Sequence, residues 1–218
     1  MRLSYYISAI GILIIVSCSS PGNYYVTKQF KTIIDNNNCQ IAYYYPRVQS
    51  SNLEFKKVNE ILEKLPDYNY HSNNCNDSRF SKQIIKGDYK VLFQNSERLS
   101  IEFTKKFHRD SISKIDEMIS GLVINPIELE SNETKGLVNI TSIIPSFKRG
   151  SLYKYVKEYN EVEGASINLK AYEENSNYNI NWAITNEELI VYLGGEGEFF
   201  GFDKIEIPIS KLREENDL

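Results

Sequence analysis

Histidine, cysteine and tryptophan are almost missing from this chain, which holds two, three and one of them in 218 residues. That scarcity argues against a metal centre, because Cys39, Cys75, His71 and His108 show none of the spacings by which zinc ligands are gathered. Clusters of Lys and Arg are missing too. With a net charge of −4, nothing offers the basic footprint a nucleic acid requires. The catalytic signatures Gly-x-Ser-x-Gly and His-Glu-x-x-His do not occur. Ser111-Ile112-Ser113-Lys114 has a Ser-x-x-Lys spacing but no companion motifs. The 29 Asp and Glu could supply any acid–base pair, and spacing selects none of them. The chain therefore reads as non-enzymatic, with no cofactor and no metal.

What is present begins with the N-terminus. Arg2 precedes an apolar run from Tyr5 to Val16, which suits a signal peptide. It falls short of the roughly 20 apolar residues of a membrane-spanning helix. The run ends in Ile15-Val16-Ser17-Cys18, which resembles the bacterial lipobox of an aliphatic residue, a small or β-branched one, a small one and cysteine. The resemblance implies cleavage before Cys18 and a diacylglycerol thioether on its sulfur. With about 0.8 kcal/mol per buried methylene, two or three acyl chains hold a soluble domain firmly. The competing readings are an ordinary secretory peptide or a short N-terminal anchor. Ser19, rather than Asp, follows the cysteine, which by the same analogy favours the periplasmic face of an outer membrane where the cell has two membranes.

With Cys18 lipidated, Cys39 and Cys75 remain as a pair in an oxidising compartment. A bridge would close a loop of ~37 residues, for which chain entropy gives about 3–4 kcal/mol. Two free thiols are the alternative. The 16 tyrosines, with Tyr43-Tyr44-Tyr45 in a row, could stack on sugars, but codon bias and strand propensity explain them as well.

Residues 1–17 read as the signal peptide, 18–36 as the lipidated cysteine and a tether, and 37–218 as one extracytoplasmic domain. The chain's 41% hydrophobic content is enough for a core. The first strand is expected at Cys39–Tyr45, closed by Pro46. A helix is expected over Leu53–Leu65, with Val58, Ile61, Leu62 and Leu65 on one face and Ser51 and Glu54 at capping-box spacing. Ile84–Phe93 and Arg98–Phe107 read as a hairpin, the second strand turning Leu99, Ile101 and Phe103 inward and Ser100, Glu102 and Thr104 outward. Met118–Ile124 is another strand, and Leu152, Tyr155, Val156 and Tyr159 mark a second helix. Residues 137–144 fit a strand or a short helix. Ile180–Thr185 and Glu188–Leu193 form a tight hairpin, then a glycine-rich loop from Gly194 to Gly201 leads to an edge strand over Asp203–Ile209. A short polar helix or tail closes the chain. The pattern predicts an α+β fold, a mostly antiparallel sheet with two main helices packed on it.

Several of these segments resemble one family. They are Tyr45-Pro46, the helical Asn59-Glu60-Ile61-Leu62, the hairpin of Asp88-Tyr89-Lys90-Val91 with Leu99-Ser100-Ile101-Glu102-Phe103, Trp182 to Leu193, and Ile205 to Leu212. Together they are similar to the extracytoplasmic domain of the RsiV type, the DUF3298 family with its DUF4163 companion. That domain occurs in lysozyme-sensing anti-sigma factors and in many envelope lipoproteins. The resemblance implies a binding role at the cell envelope, without a reaction of its own. The glycine-rich loop departs from the family, which more often carries a Pro-Tyr element there.

The candidate ligand surface is that loop. It lacks the Gly-Lys-Ser/Thr ending of a phosphate cradle, so it reads as a flexible connection or as an exposed tip. As a tip, Glu196, Glu198, Phe199 and Phe200 would meet a basic protein such as a lysozyme-type enzyme or another envelope protein, by charge steering and aromatic anchoring. Binding of peptidoglycan or another glycan is the alternative. Trp182, alternating with Ile180 and Ile184, reads as a core residue rather than a sugar platform. An unrecognised hydrolase using His108 ranks last.

Overall fold

The computed structural model describes residues 24–34, 39–64, 83–109, 112–132, 136–145, 147–173, 176, 180–194, 201 and 203–216. Cys18 and Cys75 lie outside them, as do Glu196, Glu198, Phe199 and Phe200 and the side chains of Cys39 and His108.

Five strands lie side by side in chain order: β1 (Tyr25–Ile34), β2 (Cys39–Gln49), β3 (Gln83–Gln94), β4 (Leu99–Arg109) and β5 (Ile112–Ile124). Neighbours are antiparallel except β2 and β3, which pair in parallel from Cys39–Gln83 to Tyr43–Gly87. A parallel pair needs a crossover, and α1 (Lys56–Lys64) lies in it. After β5 the chain forms α2 (Pro126–Ser131), a 3-10 turn at Ile140–Ser142, α3 (Gly150–Glu163) and a second 3-10 turn at Leu169–Tyr172. A second, antiparallel sheet of β6 (Asn181–Ile184), β7 (Glu188–Leu193) and β8 (Asp203–Pro208) follows, then α4 (Ile209–Asn216). This is the expected α+β arrangement, with α1 and α3 the two longest helices among the described residues.

The side-chain pattern stacks the elements in four layers. Leu99, Ile101 and Phe103 of β4 pack with Val58 and Leu62 of α1 and Leu129 of α2. The other side of β4 meets the second sheet, where Ile190 and Tyr192 of β7 pack with Leu92 and Ile119. Leu189, Val191 and Leu193 point away from that seam, onto Leu152 and Val156 of α3 and Leu212 of α4. Because both of its faces are covered, β7 reads as an unbroken apolar run from Leu189 to Leu193 rather than as an alternation.

Asparagine closes many of the local joints. Asn125 caps α2 ahead of Pro126, and Asn139 and Asn168 cap the two 3-10 turns. Asn95 Oδ1 accepts from Glu97 N and Arg98 N to close the β3–β4 hairpin. Helix α3 ends on Gly164, in the left-handed region at φ 65°, where a Cβ is costly.

Three expectations change. The stretch read as a tether to residue 36 holds β1, whose partner is β2 along its whole length. β1 lacks clean alternation because its side chains do not divide into a buried and a solvent face. Pro46 does not end β2: it lies past the pairing with β3, where a missing amide does least harm, and the strand runs on to Gln49. Helix α1 starts at Lys56 instead of Leu53, and Ser51 and Glu54 do not cap it. The amide of Val58, in its first turn, donates to Glu130 Oε2 of α2 at 3.1 Å. No helix among the described residues is long and apolar enough to cross a membrane.

Candidate functional site

The second sheet covers only part of the first, and the difference leaves a depression of about 460 Å³, lined by Phe30, Ala42, Tyr44, Lys86, Gly87, Asp88, Thr104 and Lys106. These residues come from four strands. Strand alternation sorts the tyrosine triplet across this region. Tyr43 is buried and its Oη donates to Glu63 O at 3.3 Å, Tyr45 is half-buried, and Tyr44 stands out. Phe30 and Tyr44 are directly paired across β1 and β2, are 55% and 41% exposed, and hold their ring centroids 5.0 Å apart at 48°. Two large rings, tilted against each other and left in water, form the apolar part of this depression.

Charge frames the rings. Lys28 Nζ lies 4.3 Å from the Tyr44 ring centroid and 2.6 Å from Asp88 Oδ1. Lys106 pairs with Glu117 at 3.1 Å, whereas Lys86 is exposed and has no ion pair among the described residues. The depression borders β1, an edge strand whose outer backbone groups meet no other strand among the described residues.

A second groove, of about 540 Å³, lies between β6 and the chain leading into α3. Trp182, Phe147, Ile140, Asn139, Thr141 and Arg149 line it. Arg149 is a buckle there: Nε and Nη2 donate to Ala171 O at 3.0 and 2.6 Å, and Nη1 to Ser176 O at 3.0 Å. The expectation for Trp182 is met in half. Its indole packs against the apolar core of the second sheet, yet it is only half-buried and forms a wall of the groove.

The ends of the glycine-rich loop are fixed. Leu193 pairs with Asp203, and Gly201 exchanges two backbone hydrogen bonds with Ile119 of β5, at 2.7 and 2.8 Å. A Cβ on Gly201 would fall 2.6 Å from Leu193 O, so glycine is required at that end. The candidate residues between these points are outside the described ones.

The titrating groups that stand out are structural. Burial pushes the Tyr24 and Tyr89 phenols well above their ordinary range. The Asp203 carboxylate raises half-buried Tyr159 to about 12 through a hydrogen bond between α3 and β8. Among the described residues no group of three or more His, Cys, Asp or Glu converges. The depression offers two rings, the Lys86 and Lys106 cations, the Thr104 hydroxyl and the Asp88 carboxylate, and the groove offers an indole, the Asn139 amide, the Thr141 hydroxyl and the Arg149 guanidinium. Sequence reading missed the Phe30–Tyr44 pair, since Phe30 sits in the stretch taken for a tether.

No model of a known protein family matches this chain, and no curated protein sequence matches it. Among solved structures it is similar to a member of the DUF3298 family from Bacteroides fragilis, with 11% identity and a TM-score of 0.43 over 88% of this chain and 92% of that one. It is also similar to a DUF3298 family protein from Pseudomonas aeruginosa, with 8% identity and a TM-score of 0.44 over 91% and 94% of the two chains.

Proposed function

We propose that this chain is a lipid-anchored domain of the cell envelope, acting as a non-catalytic binding module for a protein partner. The exposed Phe30–Tyr44 pair beside edge strand β1 carries the reading. An extended segment laid along β1 gains main-chain hydrogen bonds, and its side chains on the inner face meet the Phe30 and Tyr44 rings. Such a partner is an envelope protein or a lysozyme-type enzyme, and the lipobox at Ile15–Cys18 accounts for the anchor.

The test is a binding measurement with soluble residues 19–218 against lysozyme and against purified peptidoglycan, repeated with Phe30→Ala/Tyr44→Ala. Two exposed rings lost from an interface should weaken protein binding at least about tenfold. Protein binding that survives the double change, or binding to peptidoglycan alone, overturns the proposal.

A second reading, glycan binding, has an observation of its own in the groove walled by Trp182. An indole face beside Asn139 and Thr141 suits a sugar ring with its hydroxyls. Trp182→Ala would abolish peptidoglycan binding under that reading and leave it unchanged under the first.

A further inference from the structure

Tyr24, the first of the described residues, is firmly held. It is buried, its Oη donates to Arg98 O at 2.9 Å, its carbonyl accepts from Gln94 Nε2 at 3.2 Å, and its ring meets that of Phe55 at 5.9 Å. The domain is thereby pinned at the end of the first sheet formed by the β3–β4 turn. Five residues, 19–23, separate Tyr24 from Cys18. Even fully extended, six residue steps reach only ~20 Å. A lipid on Cys18 would therefore hold this end of the domain close to the bilayer.

The same end carries exposed apolar side chains. Strand directions place the start of β1, the end of β2, the β3–β4 turn and the end of β5 together: Tyr25 pairs with Gln49, Gln94 with Leu99, and Leu99 with Ile124. Leu53 follows β2 and precedes Phe55. Ile127 lies in α2, directly after β5, and Leu137 bridges back to Ile124. Glu130 accepts from Val58 N, which brings α2 against the start of α1. Tyr25, Leu53, Ile127 and Leu137 are 55%, 45%, 39% and 58% exposed, and they are half of the eight large apolar residues that are exposed among those described. Large apolar side chains gathered at the tethered end have a lipid surface within reach.

We infer that this end of the domain rests on the membrane, with Leu53, Ile127 and Leu137 dipping into the headgroup layer. The inference depends on the anchored reading of Cys18. Neighbouring charges are of both signs, Glu54 and Glu97 with Lys56 and Lys57, so contact depends on apolar insertion and the short tether rather than on attraction to anionic lipid. The domain then stands with its sheets rising from the bilayer, and the Phe30–Tyr44 face turns sideways along the surface.

Hydrogen exchange on the full-length protein tests this. The protein is purified from membranes, reconstituted in phosphatidylethanolamine–phosphatidylglycerol vesicles, and compared with soluble residues 19–218. Amides of residues 52–57, 95–98 and 127–138 should exchange at least about fivefold more slowly on vesicles, while those near Thr32 and Lys106 keep their rates. Leu53→Glu/Ile127→Glu, at exposed positions, should return the first set to solution rates without releasing the protein. Unprotected or evenly protected amides overturn the orientation. The mass of the N-terminal peptide separates the two failures. A diacylglycerol on Cys18 with an unprotected end sinks only the orientation, whereas an unmodified Cys18 sinks the anchor and the orientation with it.

Discussion

Gly121 of β5 lies against Trp182 of β6 so closely that a Cβ on it would come 2.4 Å from the Trp182 carbonyl oxygen and 2.4 Å from the Tyr192 ring. The two sheets touch here through backbone, and the Gly121 amide donates to Asn181 Oδ1 at 2.9 Å. Gly121→Ala must push the sheets apart, since a carbonyl in a strand cannot swing aside. Overpacking of this kind costs about 1–3 kcal/mol, and more where backbone has to move. Urea unfolding of the soluble domain should show the lower midpoint. A midpoint within error of the parent would mean that the sheets do not meet at Gly121.

The same seam holds a charged cluster. Glu102 Oε2 accepts from Tyr192 Oη and from Lys204 Nζ, each at 2.9 Å. Burial first, and the Glu102 carboxylate second, push the Tyr192 phenol far above its ordinary range. Burial draws Lys204 down, but its hydrogen bonds and ion pairs with Glu102 and Glu206 more than offset this and leave it raised. Both groups stay protonated in the folded protein at pH values where the unfolded chain has begun to lose protons. Their stabilisation is therefore complete below about pH 10 and is lost as pH rises beyond it. Urea midpoints should be level from about pH 7 to 9 and fall steeply by about pH 10.5. Tyr192→Phe should flatten that fall in part, since Tyr24 and Tyr89 are also buried phenols. A level profile in the parent to about pH 11 would contradict the account.

Asn59 joins α1 to β2 in the manner of a strand partner. Its Oδ1 accepts from Val48 N at 2.8 Å while its Nδ2 donates to Val48 O at 2.9 Å. Asn160 makes the same two-way pairing with Ile167, at 3.0 and 2.9 Å. Asn59→Asp keeps the size and the acceptor but sets a carboxylate oxygen against the Val48 carbonyl. Losing the donor beside a half-buried acceptor should cost about 2–3 kcal/mol at pH 7, with part of it recovered when the new carboxyl is protonated near pH 4. Thermal unfolding at the two pH values, each against the parent, reads out the difference.

These joints show how far sequence reading reached. Strong local patterns are legible: the β3–β4 hairpin around Asn95, the β6–β7 hairpin around Asn186 and Glu187, and the helical face of Val58 and Leu62. Pairing across distance is not. Ser100, Glu102 and Thr104 alternate with apolar neighbours and so read as a solvent face, yet Ser100 is buried and its Oγ accepts from Ile184 N across 84 residues of chain. Glu102 likewise meets the second sheet. A polar face opposite an apolar one looks the same whether its partner is water or a hydrogen-bonded sheet. The start of α1 is illegible for a similar reason, because the acceptor at its first turn is Glu130, 72 residues from Val58. The surface formed by Phe30 and Tyr44 has no sequence signal of its own, because it exists only through the pairing of β1 with β2.

Ser120 marks the place where the seam's polar chemistry has no counterpart. It lies on β5 opposite Phe103, so its side chain points to the α1 side of the sheet, among the apolar residues that fill the space under α1. It is fully buried, and its Oγ has no hydrogen-bond partner among the described residues. A buried hydroxyl left unpaired costs about 1–3 kcal/mol relative to one that is satisfied, whereas an alanine methyl has no such demand. Ser120→Ala removes one small atom and leaves too little space to act as a cavity. It should therefore leave the domain as stable as the parent or raise it by about 1 kcal/mol, a few degrees in thermal midpoint for a domain of this size. A loss of more than about 1 kcal/mol would show that the hydroxyl has a partner, such as a buried water held between the strands and α1.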